Sequence, residues 1–490
     1  MRQFPACRAT YVCRRLALSF MACALGACAV GPTYRTPVAS AMGVPGAWHA
    51  QLAHSGSLID LAQWWRQFDD SLLSQLILLS QVDSPTVAQA EARVRQAHAA
   101  FDGSSAGLFP LISLAASSSR SNGTGLSAAS GGSAAQTSGS TSFNASWDLD
   151  LFGGTQRSVE SAAARAAASE QEWHEARVTL AAEVAMTYVG RRQCEALVVQ
   201  NEVDLASRLE TDHLTRNKIA SGFSAPTDAL RTEASVAESR SSLHNQNGLC
   251  ARYLYQLAAL TGLAPRTLEA HLTQGSAVIP VPVTTLTPTI PAVLLSQRPD
   301  VASLERRLAA ASADIGVAQA NRMPQLGLAG VIGINQLRLG RQVLRYDTWS
   351  FSPSFSLPVL DGGAGAAQVA SARARYDESF AAYRQKIRQA VQEVEDALVR
   401  VDVAVQREQS TALAQARYQQ YFEAKSVEFR RGATSLLDLE DARRITVGSN
   451  RSLAVVRLER AQSWIALYKS VGGGWQIPGV DLAVSLPPEH

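Results

Sequence analysis

Aromatic residues are scarce in this 490-residue chain, at 7%. Ala, Ser and Gln are abundant instead, which suits close-packed helices better than one large globular core. Charge of a single sign is missing too. A formal net charge of +3 spread over 490 residues makes no basic field, so nucleic acid is not a partner the composition supports. The eight histidines are scattered, and no HExxH, CxxC, P-loop or GxGxxG stands where chemistry would need it. No enzyme, metal or cofactor reading has a foothold. Long hydrophobic runs are absent beyond the first residues: nowhere do 18 consecutive apolar residues occur. That excludes a membrane-spanning helix, and a chain that crosses a bilayer without one must do so with strands.

What is present begins with a leader. Arg2, Arg8, Arg14 and Arg15 precede the apolar run LALSFMACALGA, from Leu16 to Ala27, too short to span a bilayer and suited to a signal-peptide core over 1–27. The run ends Leu25-Gly26-Ala27-Cys28, which resembles the lipobox of bacterial lipoproteins, whose Cys thiol carries lipid and becomes the new N-terminus. Cys23 stands in a poorer version of the same motif. Ala29, rather than Asp, follows Cys28 and implies an outer-membrane address. Of the six cysteines only Cys28, Cys194 and Cys250 survive removal of the leader, so Cys194 and Cys250 are the two free to pair.

The rest of the chain contains itself twice. LLSQVDSPTVAQAEARVRQA (78–97) parallels LLSQRPDVASLERRLAAA (294–311), SWDLDLFGG (146–154) parallels SFSLPVLDGG (354–363), and SGFSAPTDAL (221–230) parallels RGATSLLDLE (431–440). Each copy reads helix, strand, loop, strand, long helix, tight turn, helix. The expected organisation is an N-terminal extension 28–70, a first repeat 71–262, a Pro-rich linker 263–291, a second repeat 292–472 and a tail 473–490. The two long helices, from Thr155 and from Ala364, run 67 residues each, about 100 Å at 1.5 Å per residue. Ile387, Val391, Val394, Leu398, Val401 and Val405 mark a heptad seam on the second. Helices of that length must pack laterally in a bundle or coiled coil.

The strands are expected at about 111–119, 142–152, 325–335 and 348–359. In the second, Phe143, Ala145, Trp147, Leu149 and Leu151 oppose Ser142, Asn144, Ser146, Asp148 and Asp150; in the fourth, Trp349, Phe351, Pro353, Phe355 and Leu357 oppose a run of serines. This alternation fits a tilted transmembrane strand, and equally a half-buried sheet of a soluble protein. The lipid signal favours the first. Pro353 points to a bulge or a sheet edge. The stretch SSSRSNGTGLSAASGGSAAQTSGSTS reads as a polar loop outside the cell. Four strands cannot close a barrel, and an open edge is not tolerated in lipid, so the chain must oligomerise or not insert. Two copies would give eight strands and a bore filled by side chains; three would give twelve and room for water.

CAVGPTY from Cys28, WWRQFDDSLLSQL (64–76), the FGG and DGG turns before the long helices and both tip turns follow one another in an order that resembles the outer-membrane factors of the TolC/OprM family, in the NodT lipoprotein subgroup found with RND-type efflux pumps. The resemblance covers nearly all of the mature chain. It implies a mainly α protein with a transmembrane β-barrel part, a homotrimer with a 12-stranded barrel over a long helical periplasmic tunnel, lipid-anchored in the outer membrane of a Gram-negative bacterium. It implies a passive exit duct for small molecules such as drugs, energised by an inner-membrane RND pump through a periplasmic adaptor. A duct for protein secretion and a non-porous lipoprotein tether are the competing readings.

The same resemblance places a periplasmic gate after Gly432, with Asp438 and Asp441 as carboxylate rings and Leu436 and Leu437 as an apolar constriction. Set against this, Ser435-x-x-Asp438 has capping-box spacing, and first-turn acids favour the helix dipole. Asp228, its counterpart in the first repeat, follows Pro226 and reads as a cap. The tip turns at Gly222 and Gly432 are the expected adaptor contacts. Cys194 and Cys250 lie at equal distance from Gly222 on the two arms of one hairpin, which leaves open both a disulfide and two small buried residues.

Overall fold

The computed structural model describes residues 29–38, 42, 44–45, 48–49, 64–123, 134–273, 278–282, 297–339 and 341–473. The leader, Cys28, most of the extension before Trp64, residues 124–133, parts of the Pro-rich linker, the start assigned to the second repeat (292–296) and the tail beyond Gly473 lie outside the described residues.

A 3-10 turn at Trp64–Phe68 leads into α1 (Ser71–Asp83) and α2 (Pro85–Ala106), then β1 (Leu111–Gly123), β2 (Ala134–Leu149), α3 (Gly154–Ala220) and α4 (Pro226–Thr261). A short α5 (Pro265–Thr273) precedes α6 (Pro299–Ala320), β3 (Gln325–Leu339), β4 (Gln342–Ser356), α7 (Ala364–Arg430) and α8 (Leu436–Ser470). The order α2-β1-β2-α3-α4 recurs as α6-β3-β4-α7-α8. Both α3 and α7 have 67 residues. Among the described residues no helix is long and apolar enough to cross a membrane.

Two expectations about helices need correction. The single helix expected to open the first repeat is broken at Ser84, because Pro85 cannot donate to the preceding turn and takes the first position of a new helix. The Pro-rich linker holds α5, in which Leu268 and Leu272, one turn apart, are both buried. Four residues of spacing are too short a pattern to outweigh the surrounding prolines.

The chain divides into two compact units, each drawing on both repeats. The first takes residues 1–36, 93–169 and 303–383 and contains the sheet. Its helical part packs through small side chains: Ala162, Ala166, Ala310, Ala313 and Ala372 are buried beside Leu308 and Ile315. Asp314 accepts hydrogen bonds from Ser161 Oγ at 2.7 Å and Arg165 Nη2 at 2.6 Å. The N-terminal segment lies in this unit. Val30 N–H donates to the Phe152 carbonyl at 3.0 Å, and Arg157 Nε donates to the Val30 carbonyl at 3.2 Å. Gly31 has φ +108°, and a Cβ there would stand 2.5 Å from Gly316 Cα, so only glycine fits. Tyr34 Oη donates to Glu305 at 2.7 Å; burial and that carboxylate push its phenol well above the ordinary value. The CAVGPTY segment is therefore a docked strip from Ala29 onward.

The second unit takes 37–92, 170–302 and 384–490. Its core joins Trp64, Phe68, Leu73, Leu76 and Ile77 to Val184, Tyr188 and Leu257, and to Leu398, Ile465 and Tyr468. Trp64 stacks on Tyr468 with ring centroids 4.1 Å apart. Asp70 caps α1 by accepting from Leu73 N–H and also accepts from Tyr188 Oη at 2.6 Å. These contacts give the WWRQFDDSLLSQL stretch its role, which is to clamp α1 on α3. On α7 the heptad seam is buried at Ile387, Val394, Leu398 and Val401, and Ala390, Ala397 and Ala404 beside it are buried too. The small residues widen the contact face beyond the strict seam.

Candidate functional site

The sheet has the order β1-β2-β3-β4, antiparallel throughout, so β1 and β4 are edges. Strands are longer than the alternation indicated, 13, 16, 15 and 15 residues. Most of the stretch expected as a loop is strand instead: pairing continues from Ser117↔Ser140 to Gly123↔Ala134. Ser, Thr and Gly erase the apolar signal there, while the backbone ladder continues. Hydroxyl pairs bridge the strands, Ser117 to Ser140 at 2.8 Å and Ser119 to Ser138 at 2.7 Å. Pro353 opens no bulge. It faces Leu328 in an unbroken register and sits on edge strand β4, where a missing N–H is tolerated.

Residues directly opposite share a face. One face carries the rows Leu114-Phe143-Ile332-Trp349, Ile112-Ala145-Gly330-Phe351, Trp147-Leu328-Pro353 and Leu149-Leu326-Phe355. The other carries Ser113-Asn144-Val331-Ser350, Ala115-Ser142-Gly333-Thr348 and Asp148-Gly327-Ser354. Trp349 is 80% exposed and Phe143, Ile332 and Phe355 are exposed as well. A continuous apolar face left open to the surroundings marks a surface for lipid or for a partner. The opposite face is a polar wall.

Both tip turns close the same way. At the first, Gly222 (φ +77°) donates to the Ile219 carbonyl at 3.0 Å and Phe223 N–H to the Lys218 carbonyl at 2.8 Å. At the second, Gly432 (φ +76°) donates to Phe429 at 3.0 Å and Ala433 N–H to Glu428 at 2.9 Å. This is a Schellman ending, and its left-handed residue favours glycine. Phe223 is 83% exposed.

Beyond Gly432 the start of α8 is a capping box. Asp438 N–H donates to Ser435 Oγ at 3.2 Å, while Asp438 Oδ2 accepts from Ser435 Oγ at 2.7 Å and from Thr434 Oγ1 at 3.2 Å. Those hydroxyl donors hold the Asp438 carboxyl below its ordinary value. Asp228 at the start of α4 accepts from Ser224 Oγ at 3.2 Å. Asp441 is placed differently. It ion-pairs with Arg444 and stays exposed, on one stripe with Leu437, which is 57% exposed. Leu436 is half-buried.

The opposite side of α8 holds a group that sequence reasoning missed. Arg443, 3% exposed, donates to Thr211 Oγ1 at 2.6 Å and Ser207 Oγ at 3.1 Å and ion-pairs with Glu440. Arg208 lies 3.8 Å from Glu440 and 2.9 Å from Asp204, which also accepts from Ser239 at 3.0 Å. Burial pulls the Arg443 guanidinium below its ordinary value. The network ties α8 to α3 and α4. Its one sequence signal is the adjacency of Arg443 and Arg444, which a helix sends to different sides. On the α3–α4 hairpin Cys194 and Cys250 are joined, S–S 2.03 Å and Cα–Cα 5.5 Å. Among the described residues no group of His, Cys, Asp and Glu could hold a metal ion.

Known proteins share this arrangement. The sequence profile of the outer membrane efflux protein family matches residues 76–263 and 290–473. Nodulation protein T of Rhizobium leguminosarum bv. viciae is 29% identical over 466 residues, 95% of each chain. The toluene efflux pump outer membrane protein TtgC of Pseudomonas putida is 30% identical over 472 residues, 94% of this chain and 95% of that one. The solved outer-membrane channel OprN superposes with a TM-score of 0.78 at 28% identity, covering 91% of this chain and 100% of its own. A chain with two matching repeats, a four-stranded sheet of opposed faces and paired long helices belongs to the outer membrane efflux protein family.

Proposed function

We propose that the protein is the passive exit duct of a tripartite efflux assembly, three copies closing their sheets into one twelve-stranded barrel. One observation carries this reading. The sheet sets a continuous apolar face against a polar one and ends in two unpaired strands, β1 and β4. The edge of β1 in one copy meets β4 of the next in antiparallel order. Every backbone group then finds a partner, which lipid demands. Twelve strands leave a bore that eight would fill. The apolar rows face lipid, and Ser142, Asn144, Ser350 and Ser354 face water. Exposed Val399, Val403 and Leu413 on α7 supply surface for the neighbouring copies. Lipid on Cys28 would anchor each copy beside the foot of its sheet.

The tips around Gly222 and Gly432, with Phe223 exposed, are the surface for a periplasmic adaptor that links the duct to an inner-membrane RND pump. The duct catalyses nothing and passes small molecules such as drugs that the pump selects. For the gate, Asp438 and Asp441 are both exposed carboxylates near the start of α8, Asp438 kept ionised by its cap and Asp441 paired with Arg444, with Leu437 one turn before Asp441 as the apolar constriction. Leu436 packs behind them. Three such carboxylates would favour cations.

Planar-bilayer recording tests this. The purified protein should give discrete channels, and Asp438→Asn and Asp441→Asn should each lower cation preference. A tether would give no conductance. Equal selectivity in all three proteins would remove both carboxylates from the gate.

A further inference from the structure

The face that carries the apolar rows does not stay apolar to its far end. Beyond Ile334 two rows follow: Ser118-Gly139-Gln336-Arg345, then Arg120-Thr137-Arg338-Val343. They hold three guanidiniums and no carboxylate. Asp347 lies one row inward, opposite Ile334. All three arginines are exposed, and among the described residues none is ion-paired. A depression of about 840 Å³ opens here, lined by Ser118, Thr137, Gly139, Gln336, Arg338 and Arg345. Gly139 leaves its floor bare, since a Cβ there would meet nothing closer than 3.9 Å.

The spacing suits one shared anion. Arg345 faces Gln336 on β3, and Arg338 stands two residues further along that strand, a diagonal of about 7–8 Å. Arg120 is two strands from Arg338, about 10 Å. Each side chain is long enough to converge on a phosphate, and Ser118, Thr137 and Gln336 add neutral donors. Arginine is the side chain that meets phosphate with two parallel hydrogen bonds.

The depth suits a lipid headgroup. From the lowest apolar row (Leu149, Leu326, Phe355) to Arg338 is twelve residues along β3. That is about 40 Å of strand, or about 30 Å of bilayer at the usual tilt. The hydrocarbon core ends at about that height. Since the lowest row joins the helices, the arginine rows are the outermost. Unpaired arginines are costly in mid-bilayer and tolerated at the interface.

We propose that Arg120, Arg338 and Arg345 form a site for the phosphorylated headgroup of an outer-leaflet glycolipid, its acyl chains lying on the apolar rows below. This rests on the reading of the sheet as a transbilayer wall. Phosphate supplies the charge, and the lipid supplies the contact with Trp349 and Ile332.

Native mass spectrometry of the full-length protein in detergent tests the site, with bisphosphorylated lipid A, its dephosphorylated form and inorganic phosphate as probes. The phosphorylated lipid should be retained and the other two should not. Retention should fall at least about tenfold in Arg120→Gln/Arg338→Gln/Arg345→Gln, the loss of roughly one charge-assisted contact or more. Equal retention of both lipids by the unaltered protein overturns the proposal and needs no variant. Retention of inorganic phosphate alone overturns it in favour of a simple anion site. Should the triple variant give no channels in bilayers, Arg338→Gln/Arg345→Gln decides in the same assay. A protein that conducts normally yet holds both lipids alike loses this site and keeps its duct. One that never conducts loses both.

Discussion

The two helical hairpins, α3–α4 and α7–α8, are copies of one design and differ in how firmly each is held. Both long arms have 67 residues and both turn through the same Schellman ending. Hairpin α3–α4 is stapled across its arms by Cys194–Cys250 and restarts on Pro226 without a side-chain cap bond at Ala225. Hairpin α7–α8 has no staple among the described residues. It restarts on a capping box and is tied to its neighbour through Arg443. The two copies share a topology and differ in their fastening. One is locked covalently, and the other is held by a network that can open without breaking a covalent bond.

The sharpest way to break this comparison is Arg443→Ala. Removing a buried guanidinium breaks its pair with Glu440 and its bonds to Thr211 and Ser207, leaving Glu440 only the longer contact with Arg208, and should cost about 3 kcal/mol or more. Thermal unfolding should shift down, and open-channel conductance should rise because α8 loses its buried tie to α3. A stable variant with unchanged conductance would mean α8 is held elsewhere.

Next in size is the staple. Cys194→Ser/Cys250→Ser opens a link across 56 residues and should cost about 3 kcal/mol. Proteolysis should begin in α3–α4 while conductance stays as it was. A conductance change would show that this hairpin moves too.

The smallest effect concerns the first helices of the repeats. α6 begins with Asp300, half-buried between Arg298 at 2.7 Å and Lys386 at 2.8 Å, whereas α2 has no acid in its first turn. Burial alone would raise the Asp300 carboxyl, but the two cations overcome it and hold it at about 2. A depressed carboxyl stabilises the fold above its unfolded value near 4, and the gain fades as pH falls from about 4 through 2. Asp300→Asn should therefore lose about 2 kcal/mol at neutral pH and almost nothing below pH 2, read as the difference in unfolding midpoints. A constant difference across that range would detach Asp300 from the effect.

Much of this was legible in residues. The heptad seam located the buried stripe of α7, and the Phe143/Trp147 and Trp349/Phe355 alternation located the apolar face. Counting outward from Gly222 put Cys194 and Cys250 at one height. What escaped detection did so for physical reasons. The outer halves of β1 and β2 are rich in Ser, Thr and Gly, which carry no apolar alternation. The break at Ser84 and the helix at Pro265 turned on single prolines, whose effect depends on position within a turn. Asp438 satisfies both a gate pattern and a capping pattern, and the Ser435 hydrogen bonds form the cap without removing the exposed charge. Arg443 faces inward because of three-dimensional neighbours on α3 that no local spacing announces.

The two bare strand margins, β1 with 13 residues and β4 with 15, have a kinetic consequence. In the proposed duct a solitary copy entering hydrocarbon would carry two rows of unanswered amides, so meeting two siblings has to precede or accompany threading into the bilayer. The speed of maturation then depends steeply on how many copies are produced nearby, approaching the third power when chains are rare. A cell that makes few of them waits disproportionately long for its first working pore.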